Sequence, residues 1–156
     1  MIHRRLEIRQ FGLKDVEPLA YIYSAIYSPL EGDWPLGRVI QRFSDFYAKQ
    51  PELALVAEQN GLIVGGTFAG IKYWNNRTEL ESWDLFVDPL MHGRKIGPLL
   101  LRELINKARR EFAVDTYKGL RDHLSDQWVD RLGLMPTGSI EVRANIADVL
   151  NVLSII

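Results

Sequence analysis

The stretch Glu81-Ser82-Trp83-Asp84-Leu85-Phe86-Val87-Asp88-Pro89-Leu90-Met91-His92-Gly93-Arg94-Lys95-Ile96-Gly97, running into Pro98-Leu99-Leu100, decides the fold. Glu79 to Val87 reads as a strand that Asp88-Pro89 stops. A short loop with Gly93 follows, and a helix opens at Ile96. Pro98 falls in the first helical turn, where its missing N–H costs nothing. Such a loop presents free backbone N–H groups, and the helix macrodipole adds partial positive charge. That combination binds phosphate or pyrophosphate. His92, Arg94 and Lys95 add donors and positive charge. Taken alone, the loop also fits an ordinary strand-to-helix turn with a basic rim.

Downstream, Ile96 to Phe112 is the clearest helix. Leu99, Leu100, Glu103, Leu104, Lys107 and Ala108 give it an apolar face with charged flanks. Val114 to Tyr117 predicts a short strand, Ser125 to Leu132 a short helix, and Ser139 to Arg143 a last strand. The tail from Asn145 fits a helix through Ile146, Val149, Leu150 and Leu153, or a strand over 149–156. Upstream, Asn75-Asn76-Arg77 turns back into a strand over Leu62 to Trp74. Asn60-Gly61 joins that strand to another at Leu53 to Glu58. Gly65, Gly66 and Gly70 point to close packing or a bulge. Earlier still come a strand over Arg4 to Arg9 and a helix over Leu13 to Tyr27. A turn-rich break over Pro29 to Gly37 leads into a second helix over Val39 to Tyr47. The order is α/β, with a mixed parallel and antiparallel sheet.

The 156 residues suit one domain, and a hydrophobic share of 47% supports a real core. Nineteen Lys and Arg against twenty Asp and Glu leave a net charge of −1, which argues against nucleic-acid binding by bulk electrostatics. The absence of cysteine removes thiolate nucleophiles, disulfides and cysteine zinc sites. No run approaches a membrane span, and the first residues lack a leader-like apolar stretch, so the expectation is a cytoplasmic protein without a membrane partner. Gly93 to Gly97 lacks the Gly-Lys-Ser/Thr of a P-loop. No Gly-x-Ser-x-Gly elbow, Rossmann fingerprint or metal-ligand spacing occurs.

The sequence resembles the GNAT acetyltransferase superfamily. Leu85-Phe86-Val87-Asp88-Pro89 is similar to the family's strand end. Gly93 and Gly97 fall in its loop, and Leu99-Leu100 to Ala108-Arg109 in the helix after it. Ile8-Arg9 with Asp15 looks like the family's opening, and Arg131-Leu132-Gly133-Leu134 like its late Leu-Gly-Phe. The resemblance covers Ile8 to Val142. It implies a GNAT-like mixed central β-sheet flanked by helices, with a splayed strand pair that admits acyl-CoA. The domain would be 1–144, with 145–156 an apolar segment packed on it or on a partner, including a second copy. The implied reaction is direct transfer of an acetyl group from acetyl-CoA to an amine of a small molecule or protein. Backbone groups around Phe86 and Val87 would bond the pantetheine arm and the thioester carbonyl. His92, Gly93, Arg94, Lys95, Ile96 and Gly97 would cradle the pyrophosphate.

Such transfer needs a base, an acid and a donor for the carbonyl. Glu81 matches a family position for the base, with Glu79 and Asp84 as competitors. Its bland alternative is a solvated strand residue opposite Arg77 or Lys72. Strand alternation sets Glu79, Glu81, Trp83 and Leu85 on one face and Leu80, Ser82, Asp84 and Phe86 on the other. Two positions depart from the family. His92 stands for its Arg or Gln, and Lys95 for its first loop glycine. The usual acid, a late-helix tyrosine, is replaced by Val129, which leaves Tyr117, Ser125, His123 or water. Tyr21, Tyr23, Tyr27 and Trp34 are cleft or core aromatics, Trp34 being the best cleft candidate. The departures also motivate a rival reading, a catalytically silent GNAT-fold structural or interaction module, such as a phage virion component.

Overall fold

The computed structural model describes residues 5–120, 126–136 and 141–156. Seven strands form one sheet: β1 (Leu6–Gln10), β2 (Ala54–Gln59), β3 (Leu62–Tyr73), β4 (Thr78–Val87), β5 (Thr116–Leu120), β6 (Met135–Pro136) and β7 (Glu141–Asn145). Their order is β1-β2-β3-β4-β5-β7-β6. Every pairing is antiparallel except β4 with β5. Five helices accompany them: α1 (Val16–Glu31), α2 (Leu36–Lys49), α3 (Ile96–Phe112), α4 (Asp126–Arg131) and α5 (Ile146–Leu153).

A core lies on each face of the sheet. Leu100, Leu101, Leu104, Ile105 and Ala108 of α3 pack with Leu55, Leu80, Leu85 and Tyr117. These α3 positions recur at helical spacing and form the buried stripe of a long amphipathic helix. The tail is helical, and Ile146, Val149 and Leu153 of α5 join the same core. Asn145 caps α5 by accepting the Ala147 N–H. On the other face, Leu19 and Tyr23 of α1 and Val39 and Phe43 of α2 pack on Val56, Phe68 and Phe86.

Three sequence expectations change. α1 runs through Pro29 to Glu31, so the proline lies inside its last turn; Gly32, with φ of 93°, ends it. A short strand, β6, pairs with β7 where none was foreseen. β4 carries a bulge, since Phe68 pairs with Asp84 but Ala69 pairs with Ser82, leaving Trp83 without an opposite residue. The bulge shifts the alternation. Leu80 shares a face with Leu85 and Val87, while Trp83 joins Phe86 on the other.

The two parallel strands pair only at Glu79–Thr116, Leu80–Tyr117 and Glu81–Lys118. Beyond Glu81 they diverge, and β4 from Ser82 to Val87 has no strand partner on that edge among the described residues. This is the splayed strand pair.

Candidate functional site

Two structures meet at the splay. The first is the open edge of β4 with the loop that follows. The Asp88 N–H bonds to the Val64 carbonyl at 2.8 Å. In an antiparallel ladder the bonding direction alternates, so the Phe86 groups point toward β3 and those of Leu85 and Val87 face the gap. The backbone expected to be free at Phe86 is therefore committed to the sheet, and Leu85 takes its place beside Val87. The His92 Nε2 lies 3.2 Å from the Val87 carbonyl and ties the loop back to the strand.

The loop delivers unbonded donors. The first N–H used inside α3 is that of Leu99, which bonds to the Lys95 carbonyl at 3.1 Å. The N–H groups of Gly93, Arg94, Lys95, Ile96 and Gly97 donate to no described residue. No side chain caps α3, and no acidic residue stands in its first turn. Arg94 and Lys95 are exposed and pair with no described carboxylate. Lys95 has φ of 62° and ψ of 22°, the left-handed conformation that glycine adopts without cost. The loop thus keeps the shape of a glycine turn while carrying a lysine.

The second structure is a cleft of about 290 Å³ lined by Arg42, Phe46, Glu81, Ser82, Trp83, Lys118 and Gly119. Its lining draws on residues of both parallel strands, so it borders the gap between them. Glu81 is half-buried on its wall, opposite Gly70 in the ladder rather than Lys72, and bonds to no described residue. The Trp83 ring lies over Gly70, where a Cβ would collide with it. Phe46 stacks on Trp83 with ring centroids 5.1 Å apart, and the Arg42 guanidinium sits 4.7 Å above Phe46.

The competing carboxylates are committed. Glu79 is fully buried and accepts from Arg143 Nε at 2.8 Å and Arg77 Nε at 3.4 Å. Asp84 accepts from Arg42 Nε at 2.8 Å. Burial pushes the Asp84 carboxyl up to about 6, although Arg42 pulls the other way. Tyr117 is fully buried beside the splay. Ser125 and His123 lie outside the described residues, as does His3; Val129 stands on α4.

Sequence reasoning did not find Arg42, Phe46, Trp83, Lys118 or Gly119 as cleft residues. Trp34 packs edge-on against Tyr23 in the α1–α2 core and donates from Nε1 to Glu31, so the cleft rings are Phe46 and Trp83. The α2 residues face the strand only through tertiary packing. The isolated strand glycines Gly70 and Gly119 were the available signal.

The acetyltransferase (GNAT) family model matches residues 19–123, more than half of the chain. The chain belongs to the GNAT acetyltransferase family. GNAT structures share its architecture. Ard1 from Thermoplasma volcanium is 18% identical, with a TM-score of 0.69 over 90% of this chain and 97% of its own. A GNAT acetyltransferase from Brucella melitensis, solved in complex with acetyl-CoA, is 17% identical, with a TM-score of 0.68 over 92% of this chain and 89% of its own. The structure of yncA from Salmonella typhimurium with its cofactor acetyl-CoA is 17% identical, with a TM-score of 0.65 over 91% and 94%. At these identities the likeness is one of fold. No curated protein sequence matches the chain. Among the described residues, no GNAT helix here is long and apolar enough to cross a membrane, and no cluster of side chains suits a metal ion.

Proposed function

We propose that the chain transfers an acetyl group from acetyl-CoA to an amine. The observation that carries this reading is the run from the open β4 edge at Leu85 and Val87 into five unbonded N–H groups at the start of α3. An extended arm with amide groups pairs naturally with a strand edge. A pyrophosphate suits the uncapped helix start, where Arg94 and Lys95 add charge. Two of the solved GNAT relatives were crystallised with acetyl-CoA. In this reading Val87 and Leu85 hold the arm, residues 93–97 hold the pyrophosphate, and His92 moves off the Val87 carbonyl or shares it.

The acceptor enters the cleft. Glu81 takes the proton from its ammonium, directly or through water, and the freed nitrogen attacks the acyl carbon. The absence of cysteine leaves direct transfer as the route, with no acyl-cysteine intermediate. The cleft admits an amine on a small molecule or a protein.

Calorimetric titration with acetyl-CoA, followed by thiol release across a panel of amines, tests the reading. Binding with release for at least one amine is the expected result. No binding at millimolar concentration overturns it. Binding without release would instead favour a silent cofactor-binding module, which the substitution at Lys95 and the missing late-helix tyrosine motivate. Glu81→Gln is expected to lower turnover about 100-fold, and unchanged turnover removes Glu81 as the base.

A further inference from the structure

Among the described residues, three buried side-chain atoms have no hydrogen-bond partner: Glu79 Oε1, Ser82 Oγ and the Tyr117 hydroxyl. Ser82 and Tyr117 lie where β4 and β5 part, and Glu79 stands three residues before Ser82 on β4. Buried polar groups are ordinarily satisfied, so unpaired ones gathered in one place point to a missing partner. Glu79 already holds two arginines, which accounts for its burial. The two hydroxyls have no such account.

Their placement is specific. Tyr117 pairs with Leu80 in the parallel register, and its side chain leans along β5 toward the splay. Its hydroxyl rests over Gly119, where a Cβ would collide with it. Ser82 stands one residue past the last paired position of β4 and is 4% exposed. It shares the Leu80 face by alternation, opposite to Glu81. The Ser82 hydroxyl is near enough to pull the Tyr117 phenol downward, yet neither completes a hydrogen bond of normal geometry. Catalytic hydrogen bonds are often loose before substrate tightens them.

We propose that Ser82 donates a hydrogen bond to the thioester sulfur at the apex of the splay, and that Tyr117 positions Ser82 by donating to its Oγ. The proposal rests on the acetyl-CoA reading above and supplies the donor that the late helix lacks. An acyl group carried along Val87 and Leu85 reaches the apex from the α3 side. The amine reaches it from the Glu81 side, through the same gap. After Glu81 has taken the ammonium proton, the N–C bond forms and the C–S bond breaks. The proton shed by nitrogen ends on the departing sulfur, and the hydroxyl pair stabilises the charge that builds there. Tyr117 gives up no proton. Burial raises its phenol to about 12, so it remains a donor. Ser82 is the catalytic residue of the pair and Tyr117 a positioning residue.

Ser82→Ala, Ser82→Thr, Tyr117→Phe and the Ser82→Ala/Tyr117→Phe double variant test this at saturating acetyl-CoA. The expected result for Ser82→Ala is a 10- to 100-fold fall in kcat, with KM for acetyl-CoA within twofold. Its melting temperature should change little, since neither hydroxyl completes a hydrogen bond of normal geometry in the free chain. Ser82→Thr should restore most of the loss. Tyr117→Phe should lower kcat severalfold in the wild-type background and not at all on top of Ser82→Ala. Additive losses, or a Ser82→Ala kcat equal to wild type, overturn the hydroxyl pair while leaving the acetyl-CoA reading intact. A wild-type chain that neither binds acetyl-CoA nor releases thiol overturns both.

Discussion

Two arginine–aspartate pairs hold this molecule together, and they behave oppositely. Arg9 reaches Asp15 through two N–H groups, each at 2.8 Å, and the Gly12 N–H adds a third bond at 2.8 Å. Arg42 reaches Asp84 at 2.8 and 3.3 Å. Both aspartates are almost fully buried. The hydrogen bond from Arg9 holds the Asp15 carboxyl below the ordinary carboxylate range, against the opposing effect of burial. At Asp84 burial wins, and the carboxyl rises to about 6. Asp84 lies between α2 and β4, held by Arg42. Ion-pair geometry alone therefore does not set charge; burial competes with it. The first pair clamps the chain entry to α1, and the second stiffens a wall of the cleft.

The largest effect falls on the second pair. Arg42→Met keeps much of the contact with Phe46 but strands a buried carboxylate, and should cost about 3 kcal/mol at pH 8. The cost should shrink toward pH 5, where Asp84 takes up a proton. Urea unfolding at both pH values measures it, and an equal loss at both would erase the contrast with Asp15. In the wild type, Asp84 binds its proton more tightly folded than unfolded, given about 6 against an ordinary 3.8. Its contribution thus favours the fold below pH 4 and is lost as pH rises through 6. A carboxyl NMR titration of Asp84 with a midpoint near 4 would break the comparison.

Asp15→Ala comes next, at about 2 kcal/mol, because Arg9 keeps its second partner Glu58 at 3.2 Å. Asp15 has a depressed carboxyl, so its contribution is complete above the unfolded value and disappears as pH falls through the folded one. The variant should therefore show the same loss at pH 6 and pH 8, and a loss that varies across that window would refute the assignment. The smallest effect belongs to Lys49–Asp45, an i,i+4 pair at 3.0 Å with both side chains more than half exposed. Lys49→Ala should change unfolding free energy by less than about 0.5 kcal/mol; a larger change would mean that burial is not what separates the pairs.

The legible part of the fold was local. Asp88-Pro89 stops β4 at the expected Val87, and Ile96 to Phe112 is helical as read, because proline ends the strand and Gly97-Pro98 sit in the first helical turn; the far end is closed by Ala113, with φ of 53°. The glycines of β3 pointed to close packing or a bulge, and Trp83 does pack on Gly70; that the extra residue falls on β4 was not legible, since it depends on how Gly70 receives the ring from a neighbouring strand. Without it the faces of β4 are misassigned beyond Ser82. Lys95 holds a left-handed backbone, so the loop keeps a glycine-like turn where the expected glycine is absent. Arg42 and Phe46 escaped notice because nothing in the α2 pattern tells a helix residue that faces a cleft from one that faces the core.

The three-residue junction between β4 and β5 has a mechanical consequence. Backbone continuity across the sheet narrows there to a seam, with β1 to β4 on one side and β5, β7 and β6 on the other. A sheet so divided has a built-in tear line, held shut by one short ladder and by the side chains packed across it. A guest lying along β4 would splint that seam and serve, for as long as it stayed, as a borrowed strand.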